Sequence, residues 1–374
     1  MNDKLKKYLN FKSLHNYGKP SKVLKNKKFD FFMVIPCYNE YEYIFKTLDS
    51  IDKQNSLYFK NLLIIIVINN AKNSPNDVIK NNSKTYNKII RSNYNFNIIA
   101  IDAFSKKHSI SVKKSGVGFA RKVGLDHCLN YFKNLDSKLC FLDADTIVDN
   151  DYLDIIDYNY QKGIDAAVVN FKHQIPIDTN LKKGIIDYEN KLKKIAKKIH
   201  NTGSPYGYVS MGSTITCNIK TYISIGGMNV KKATEDFYFL QSIAKHTKIH
   251  QITKCLVHPS ARSENRVYLG TGFRMSEYIK NKNFNDLNYN EKSFKEIKKI
   301  ITLANEHWKL NDDEFLSILK KNILKITFNY LNEIKIKTRW NNFKNNSNDK
   351  KQFLIFFHQW FDALKIMKLL KYLN

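Results

Sequence analysis

Two aspartates one residue apart, in Asp143-Ala144-Asp145, follow at once on the apolar run Leu139-Cys140-Phe141-Leu142. A short apolar run ending in Asp-x-Asp puts two carboxylates at the C-terminal end of a buried strand. That edge is where open α/β sheets bind ligands. Two hard oxygen ligands there suit a divalent metal, Mn²⁺ or Mg²⁺, with substrate phosphates completing the shell. The bare pattern is weak, because the chain repeats it in Asp149-Asn150-Asp151. The second copy reads as a helix start that no strand delivers to the ligand edge.

Four further segments carry polar chemistry. Pro36-Cys37-Tyr38-Asn39-Glu40 follows the apolar run Phe31 to Ile35. A nucleotide base can rest there against backbone groups and the Glu40 carboxylate, or the segment is a plain strand-to-helix turn with Asn39 near the cap. Gly116-Val117-Gly118-Phe119-Ala120-Arg121 opens a helix. Its glycines permit close backbone approach, its N-terminus attracts phosphate, and Arg121 can meet a diphosphate bidentately. A glycine loop with Arg121 and Lys122 simply solvated explains it equally. No Lys-Ser/Thr pair follows, which excludes a Walker-type ATPase.

Thr234-Glu235-Asp236 offers an N-cap and two acids in a first helical turn, an arrangement that stabilises any helix start. The alternative makes Asp236 a general base that takes a proton from an attacking hydroxyl. His258 can complete a metal shell with Asp145 or be an ordinary histidine. Arg262 and Arg266 can clamp phosphate, and Gly270-Thr271-Gly272 reads as a loop able to close over a ligand.

Positioning these groups requires strands and helices in alternation. Phe31 to Ile35, Leu62 to Ile68, Ile98 to Ile101 and Lys138 to Leu142 read as buried strands, with helical spacing between them in Tyr43, Ile44, Leu48 and Ile51 and in Ala120, Val123, Gly124 and Cys128. Such alternation predicts a doubly wound, mainly parallel sheet. Asp165 to Phe171, Ser213 to Cys217 and Ile249 to Val257 are further strands. Leu181 to His200 and Glu235 to Lys245 are helices. Beyond about residue 275 the pattern is helical throughout, with Glu314 to Ile336 and Lys351 to Leu373 as its main segments and the Asn-rich stretch from Trp340 to Lys350 as an exposed connection. Lys351 to Leu373 is amphipathic, either docked on a core or lying on an anionic membrane.

Composition bounds the class. With 374 residues, 24 Phe and 22 Tyr, a sizeable core can form, so intrinsic disorder is excluded. A net charge of +28 favours anionic partners, although compositional bias explains it as well. The five cysteines include no C-x-x-C, which points to a reducing compartment with neither disulfides nor zinc. The Lys-rich start lacks the apolar segment of a secretory signal, and the longest apolar run is far too short for a membrane span. The expectation is a cytoplasmic protein, soluble or peripheral on the inner face of the membrane.

Taken in order, Ile35-Pro36-Cys37-Tyr38-Asn39-Glu40, Gly118-Phe119-Ala120-Arg121, Asp143-Ala144-Asp145, Gly226-Gly227 and Glu235-Asp236 resemble the family 2 glycosyltransferases of the GT-A fold. Pro259 to Gly272, with Ser260-Ala261-Arg262-Ser263 and Gly270-Thr271-Gly272, looks like a bacterial subgroup. The resemblance implies a doubly wound mixed α/β sheet of the GT-A type over residues 29–275, preceded by a basic N-terminal arm (1–28) and followed by an all-helical C-terminal region (276–374). It implies a nucleotide-diphosphate sugar donor, a divalent metal and an inverting transfer to an acceptor hydroxyl in cell-surface glycan or glycolipid synthesis. Donor binding then falls to Pro36, Tyr38, Glu40, Asn70, Arg121, Asp143 and Ala144, metal binding to Asp145 and His258, and base catalysis to Asp236. The family usually carries Asp-Asp-Gly-Ser after the second strand. This chain has Asn69-Asn70-Ala71-Lys72, where the Asn70 amide oxygen stands in for the carboxylate.

The acceptor is expected to be a glycan or a lipid-linked one, with an anionic membrane surface as a further partner and no specific nucleic acid. The alternatives are a non-catalytic basic protein that binds nucleic acid or an anionic surface, and a degenerate transferase that binds donor without turnover. A nucleotidyltransferase would need a Gly-rich triphosphate loop after the first strand, and none is present.

Overall fold

The computed structural model describes residues 3–231, 233–264 and 269–374. Its strands are β1 (Lys19–Pro20), β2 (Phe31–Cys37), β3 (Leu62–Asn69), β4 (Asn97–Ala103), β5 (Lys138–Phe141), β6 (Ile147–Val148), β7 (Ala166–Phe171), β8 (Ile215–Asn218) and β9 (His250–His258). The described residues form one mixed sheet in the order β1-β4-β3-β2-β5-β8-β7-β9-β6.

β2 and β3 are buried at every position, as their unbroken apolar sequences require of strands covered on both faces. β2 pairs in parallel with β3 and β5, and β3 with β4. β8 runs antiparallel between β5 and β7. This is the doubly wound mixed α/β sheet that the resemblance implies, where the alternation alone predicts a mainly parallel one. The chain lays β3 and β4 on one side of β2, then crosses back and lays β5 on the other. Such a reversal leaves a crevice at the C-terminal ends of the two strands. The Pro36 to Glu40 turn and Asp143-Ala144-Asp145 both emerge there.

The helices up to residue 282 are α1 (Asp3–Phe11), α2 (Tyr41–Ile51), α3 (Asn76–Arg91), α4 (Val117–Cys128), α5 (Tyr152–Gln161), α6 (Thr179–His200), α7 (Ile219–Ser224), α8 (Glu235–His246) and α9 (Thr271–Asn281). α4 lies on β2 and β3. α3 turns Val78, Asn82, Thr85 and Ile89 inward, one stripe at helical spacing. Gly270-Thr271-Gly272, expected as a loop, is the start of α9. The five cysteines are free, and among the described residues no helix is long and apolar enough to cross a membrane.

The chain divides into two compact units, Met1–Ile186 with Ser210–Lys282, and Asp187–Val209 with Asn283–Asn374. The division falls inside α6 rather than near residue 275. The N-terminal stretch is no separate arm either. α1 buries Leu5 and Tyr8, and β1 adds an antiparallel edge to β4. The Tyr8 hydroxyl donates to Asp126 on α4 at 2.6 Å, Lys122 Nζ donates to the Tyr8 hydroxyl at 2.6 Å, and Tyr222 donates to Asp126 at 2.7 Å. Asp126 is fully buried, and the Leu14 amide donates to its other oxygen. A buried carboxylate is tolerated only when satisfied in this way. The lysines that make residues 1–28 look like a solvated arm lie on the outer face of that docked segment.

The second unit carries α10 (Glu291–Glu306), α11 (Asp312–Asn322), α12 (Lys325–Glu333), α13 (Ile336–Asn345), α14 (Lys350–Trp360) and α15 (Ala363–Tyr372). The first long helix expected there, Glu314 to Ile336, is broken after Asn322 and again after Glu333, and the second, Lys351 to Leu373, is broken once. Asp362 interrupts the second by capping α15, its side chain accepting from the Lys365 amide. Of the amphipathic face of Lys351 to Leu373, Phe353, Phe357, Trp360 and Phe361 are buried, while Phe356, Leu364 and Met367 are half-buried. Trp340, expected in an exposed connection, is fully buried and stacks on Phe315 with centroids 3.4 Å apart.

Candidate active site

The crevice is organised around two arginines, one buried and one near its mouth. Arg121 stands on the first turns of α4 and is 1% exposed. Its Nη2 lies 2.6 Å from Asp143 Oδ1 and its Nε 3.8 Å from Glu235 Oε1, a hydrogen-bonded ion pair and a longer electrostatic one. Nη1 points at the carbonyls of Leu142 and Gly212, each 3.4 Å away. A Cβ at position 212 would stand 2.6 Å from Nη2, so a larger residue there must displace the guanidinium. Arg121 is therefore not the solvent-facing diphosphate ligand expected from its helix N-terminus. It is spent on the protein, joining the Asp-x-Asp motif to the Glu-Asp motif. Burial opposes its charge, but Asp143 and Glu235 outweigh this and hold the guanidinium protonated.

Gly118 of α4 packs against the same junction. A Cβ on Gly118 would lie 2.4 Å from the Lys231 carbonyl and 3.0 Å from Glu235 Cβ. Gly118→Ala must push the segment before Glu235 away. We expect a loss of about 1–3 kcal/mol of stability in denaturant titration, as for overpacked interiors generally. Unchanged stability would show that the junction is soft.

Glu235 and Asp236 open α8. Thr234 holds the N-cap position, but its side chain caps nothing, and its hydroxyl donates to the Ala233 carbonyl at 2.6 Å. Its φ of 63° is left-handed, a strained backbone for a β-branched residue and of a kind that clusters at functional sites. Glu235 is buried and Asp236 half-buried. Burial, then the Asp236 charge, pushes Glu235 up to about 8 despite Arg121. Burial raises Asp236 to about 6, opposed by the Phe237 amide and by Arg121. The two form one coupled pair of proton acceptors at the helix start.

Asp143 is about one-third exposed, whereas Asp145 is more enclosed and pairs with Arg262 at 3.1 Å. Ala144 is buried, its carbonyl accepting from Thr47 at 2.9 Å. Gln174 Nε2 donates to the carbonyls of Asp145 and His258, at 2.8 and 2.7 Å, which ties the Asp-x-Asp loop to the end of β9. His258 itself turns elsewhere. Its Nε2 lies 2.9 Å from Asp149 Oδ1 and its Nδ1 2.9 Å from the Lys172 carbonyl. The cause is the β6–β9 pairing, which sets His258 opposite Ile147, two residues before Asp149. A strand thus does deliver the second Asp-x-Asp copy, but to the sheet edge and to His258. Among the described residues no group of three or more His, Cys, Asp or Glu side chains is arranged to hold a metal by itself.

At the first-strand turn, Pro36 is the next-to-last residue of β2 and lies beyond Val34, the last residue paired with β5, so its missing N–H leaves that ladder intact. Tyr38 is half-buried and Asn39 exposed, with a left-handed φ of 59° that asparagine tolerates. Glu40 is buried and binds Arg262 at 2.5 Å. Asn70 does not present its amide to a base. It is 1% exposed, its Oδ1 accepts from Asn82 at 3.0 Å, and its Nδ2 donates to the Ala71 and Phe104 carbonyls. Asn82 also donates to the Asn69 carbonyl and accepts from the Asn39 amide, so it links the two strand-end loops. Asn82 and Gln174 are organising residues that the motifs do not reveal. A polar residue inside the apolar stripe of α3 was the available signal for Asn82. Arg266 lies outside the described residues.

No protein-family model and no curated protein matches the chain. Among solved structures it is similar to S. aureus TarS 1-349 in complex with UDP-GlcNAc, at 14% identity over 88% of this chain and 90% of that one, with a TM-score of 0.42. It is also similar to the mannosyltransferase PcManGT from Pyrobaculum calidifontis in complex with GDP-Man and Mn²⁺, at 12% identity over 94% and 91%, with a TM-score of 0.42.

Proposed function

We propose that this chain is a glycosyltransferase that moves a sugar from a nucleotide-diphosphate donor to an acceptor hydroxyl, with inversion at the anomeric carbon. The observation that carries the reading is the Arg121 junction. One buried guanidinium joins Asp143 to Glu235, the residue before Asp236. A carboxylate pair suited to a phosphate-bound cation and a carboxyl suited to base work thereby meet at the switch point of the sheet, where such folds hold ligands.

In this reading the base and ribose lie along Pro36, Tyr38 and the Asp143-Ala144 main chain. Asp236 accepts the acceptor hydroxyl's proton. The oxygen's electron pair forms the new bond to the anomeric carbon, while the bond from that carbon to the diphosphate oxygen breaks and its pair leaves with the diphosphate. A carboxyl raised towards neutrality is matched to that transfer. Asp143 and Asp145 offer the hard oxygens that suit Mn²⁺ or Mg²⁺, provided donor phosphates and water supply the remaining ligands. The pairing of Asp145 with a guanidinium indicates that its carboxylate already faces a cation. When bound, the metal would supply neutralisation of the charge on the leaving diphosphate. The acceptor is proposed to be a glycan or lipid-linked glycan, and the net charge of +28 favours an acidic one.

Thermal unfolding with UDP- and GDP-sugars, each with and without Mn²⁺, tests the donor class. A ligand at one hundred times its Kd adds about 2.7 kcal/mol to the folded state. A clear rise in Tm with at least one nucleotide sugar is the expected result, and no rise with any of them would sink the reading.

A further inference from the structure

Arg262 lies four residues beyond β9 and makes three carboxylate contacts. Nη2 is 2.5 Å from Glu40 Oε1 and 3.1 Å from Asp145 Oδ2, and Nε is 3.2 Å from Glu264 Oε2. The guanidinium also lies 4.2 Å above the Tyr43 ring, and only a fifth of its side chain is exposed. Glu40 comes from the turn after β2, Asp145 from the loop after β5, and Glu264 from the segment whose amide donates to the Gly272 carbonyl. One cation therefore spans three separate chain segments at the point where the Asp-x-Asp motif offers its second carboxylate. The neighbouring carboxylate, Asp143, is held by Arg121 in the same manner.

A divalent ion approaching Asp145 meets a site that already contains a positive charge, and two cations within a few ångströms oppose each other strongly. The ion can enter only if the guanidinium leaves or shares the oxygen. A nucleotide diphosphate alters this balance. It brings its own negative charge and offers oxygens that a guanidinium binds bidentately. We propose that Arg262 is the resident cation of Asp145 in the donor-free protein, and that a divalent metal competes with it and loads only with a diphosphate to which the guanidinium can transfer. The proposal rests on the donor site described above. It makes Arg262 a positioning residue that keeps bare metal out of the crevice.

The test is Mn²⁺ binding, followed by the EPR signal of the free ion, with the full chain, in the presence and absence of UDP or GDP. Wild type is expected to bind Mn²⁺ weakly alone and at least about tenfold tighter with nucleotide. Arg262→Ala is expected to bind Mn²⁺ about tenfold or more tighter than wild type without nucleotide, the range of one charge-assisted hydrogen bond. Adding Asp145→Ala should remove that gain. Tyr43→Leu, which loosens the guanidinium without touching a carboxylate, should move nucleotide-free affinity in the same direction by a smaller factor. It serves as the second variant if Arg262→Ala fails to fold by circular dichroism. Nucleotide-free affinity that is unchanged or weaker in the folded variants overturns the proposal. So does nucleotide binding that never recruits Mn²⁺. If no nucleotide binds any form yet Arg262→Ala still gains Mn²⁺ affinity at Asp145, the competition stands and the donor reading fails, so the two are separable.

Discussion

Asp236→Asn is expected to cut sugar transfer about 10²- to 10⁴-fold while leaving donor binding near its wild-type level, the range for loss of a positioned general base. Asparagine matches the carboxylate in size but does not accept the acceptor's proton. Release of nucleotide diphosphate from a competent donor reports turnover, and the donor's effect on Tm reports binding in the same preparation. Near-normal turnover with every competent donor would remove Asp236 from the base role. Glu235→Gln separates the two acids. Glu235 faces Arg121, so its loss should disturb the junction and stability more than the proton-transfer step itself.

The same pair sets two opposed pH dependences. Asp236 works as a base only when ionised, so kcat/KM should climb with pH through about 6. Stability should run the other way. In the unfolded chain the two carboxyls ionise near 4.5 and 3.8, whereas the folded protein holds them up to about 8 and about 6. Between those limits unfolding releases protons, so stability falls as pH rises and the loss is complete above about 8. Activity and stability that rise together across pH 5–8 would contradict the assignment.

Some of this organisation is legible in the residues and some is not, for physical reasons. Leu62 to Ile68 reads as a buried strand from its length and β-branched residues, and an Asp-x-Asp directly after such a run as Leu139 to Leu142 reads as a strand's end. Local patterns of this kind need no knowledge of partners. Arg121 is different. On a helix N-terminus beside glycines, its sequence context fits a phosphate ligand and a solvated side chain equally, and only its distant partners Asp143 and Glu235 make it a buried tie. His258 turns to Asp149 because of strand pairing between segments more than a hundred residues apart. Asn70 is withdrawn from the crevice by Asn82 on the following helix. Tyr8 looks like part of a solvated lysine-rich arm until Asp126 receives its hydroxyl. In each case an isolated polar residue looks free, and a long-range partner removes that freedom.

Arg121 ties the Asp-x-Asp motif to the Glu-Asp motif, and its removal should cost most. Taking one partner from a buried ion pair leaves the other charge uncompensated, with a typical penalty of about 3–5 kcal/mol. Asp143 is partly exposed and can rehydrate, so above about pH 8, where the buried Glu235 carboxyl is ionised, most of the penalty falls on Glu235, whereas below it Glu235 takes up a proton and the loss is smaller. Arg121→Met keeps much of the side chain's bulk while deleting the charge, and it should lower Tm by roughly 6–20 °C on the scale of about 2–4 °C per kcal/mol for larger domains. Glu235→Gln in the same chain should recover part of that loss, because a neutral amide does not need the guanidinium. A recovery of this kind, measured as a double-mutant cycle, distinguishes a charge tie from simple packing. The acid limb of activity should also shift to higher pH in Arg121→Met, since Arg121 is one of the groups holding Asp236 down. A Tm within about 2 °C of wild type, with the pH profile unmoved, would mean that the crevice does not depend on this guanidinium.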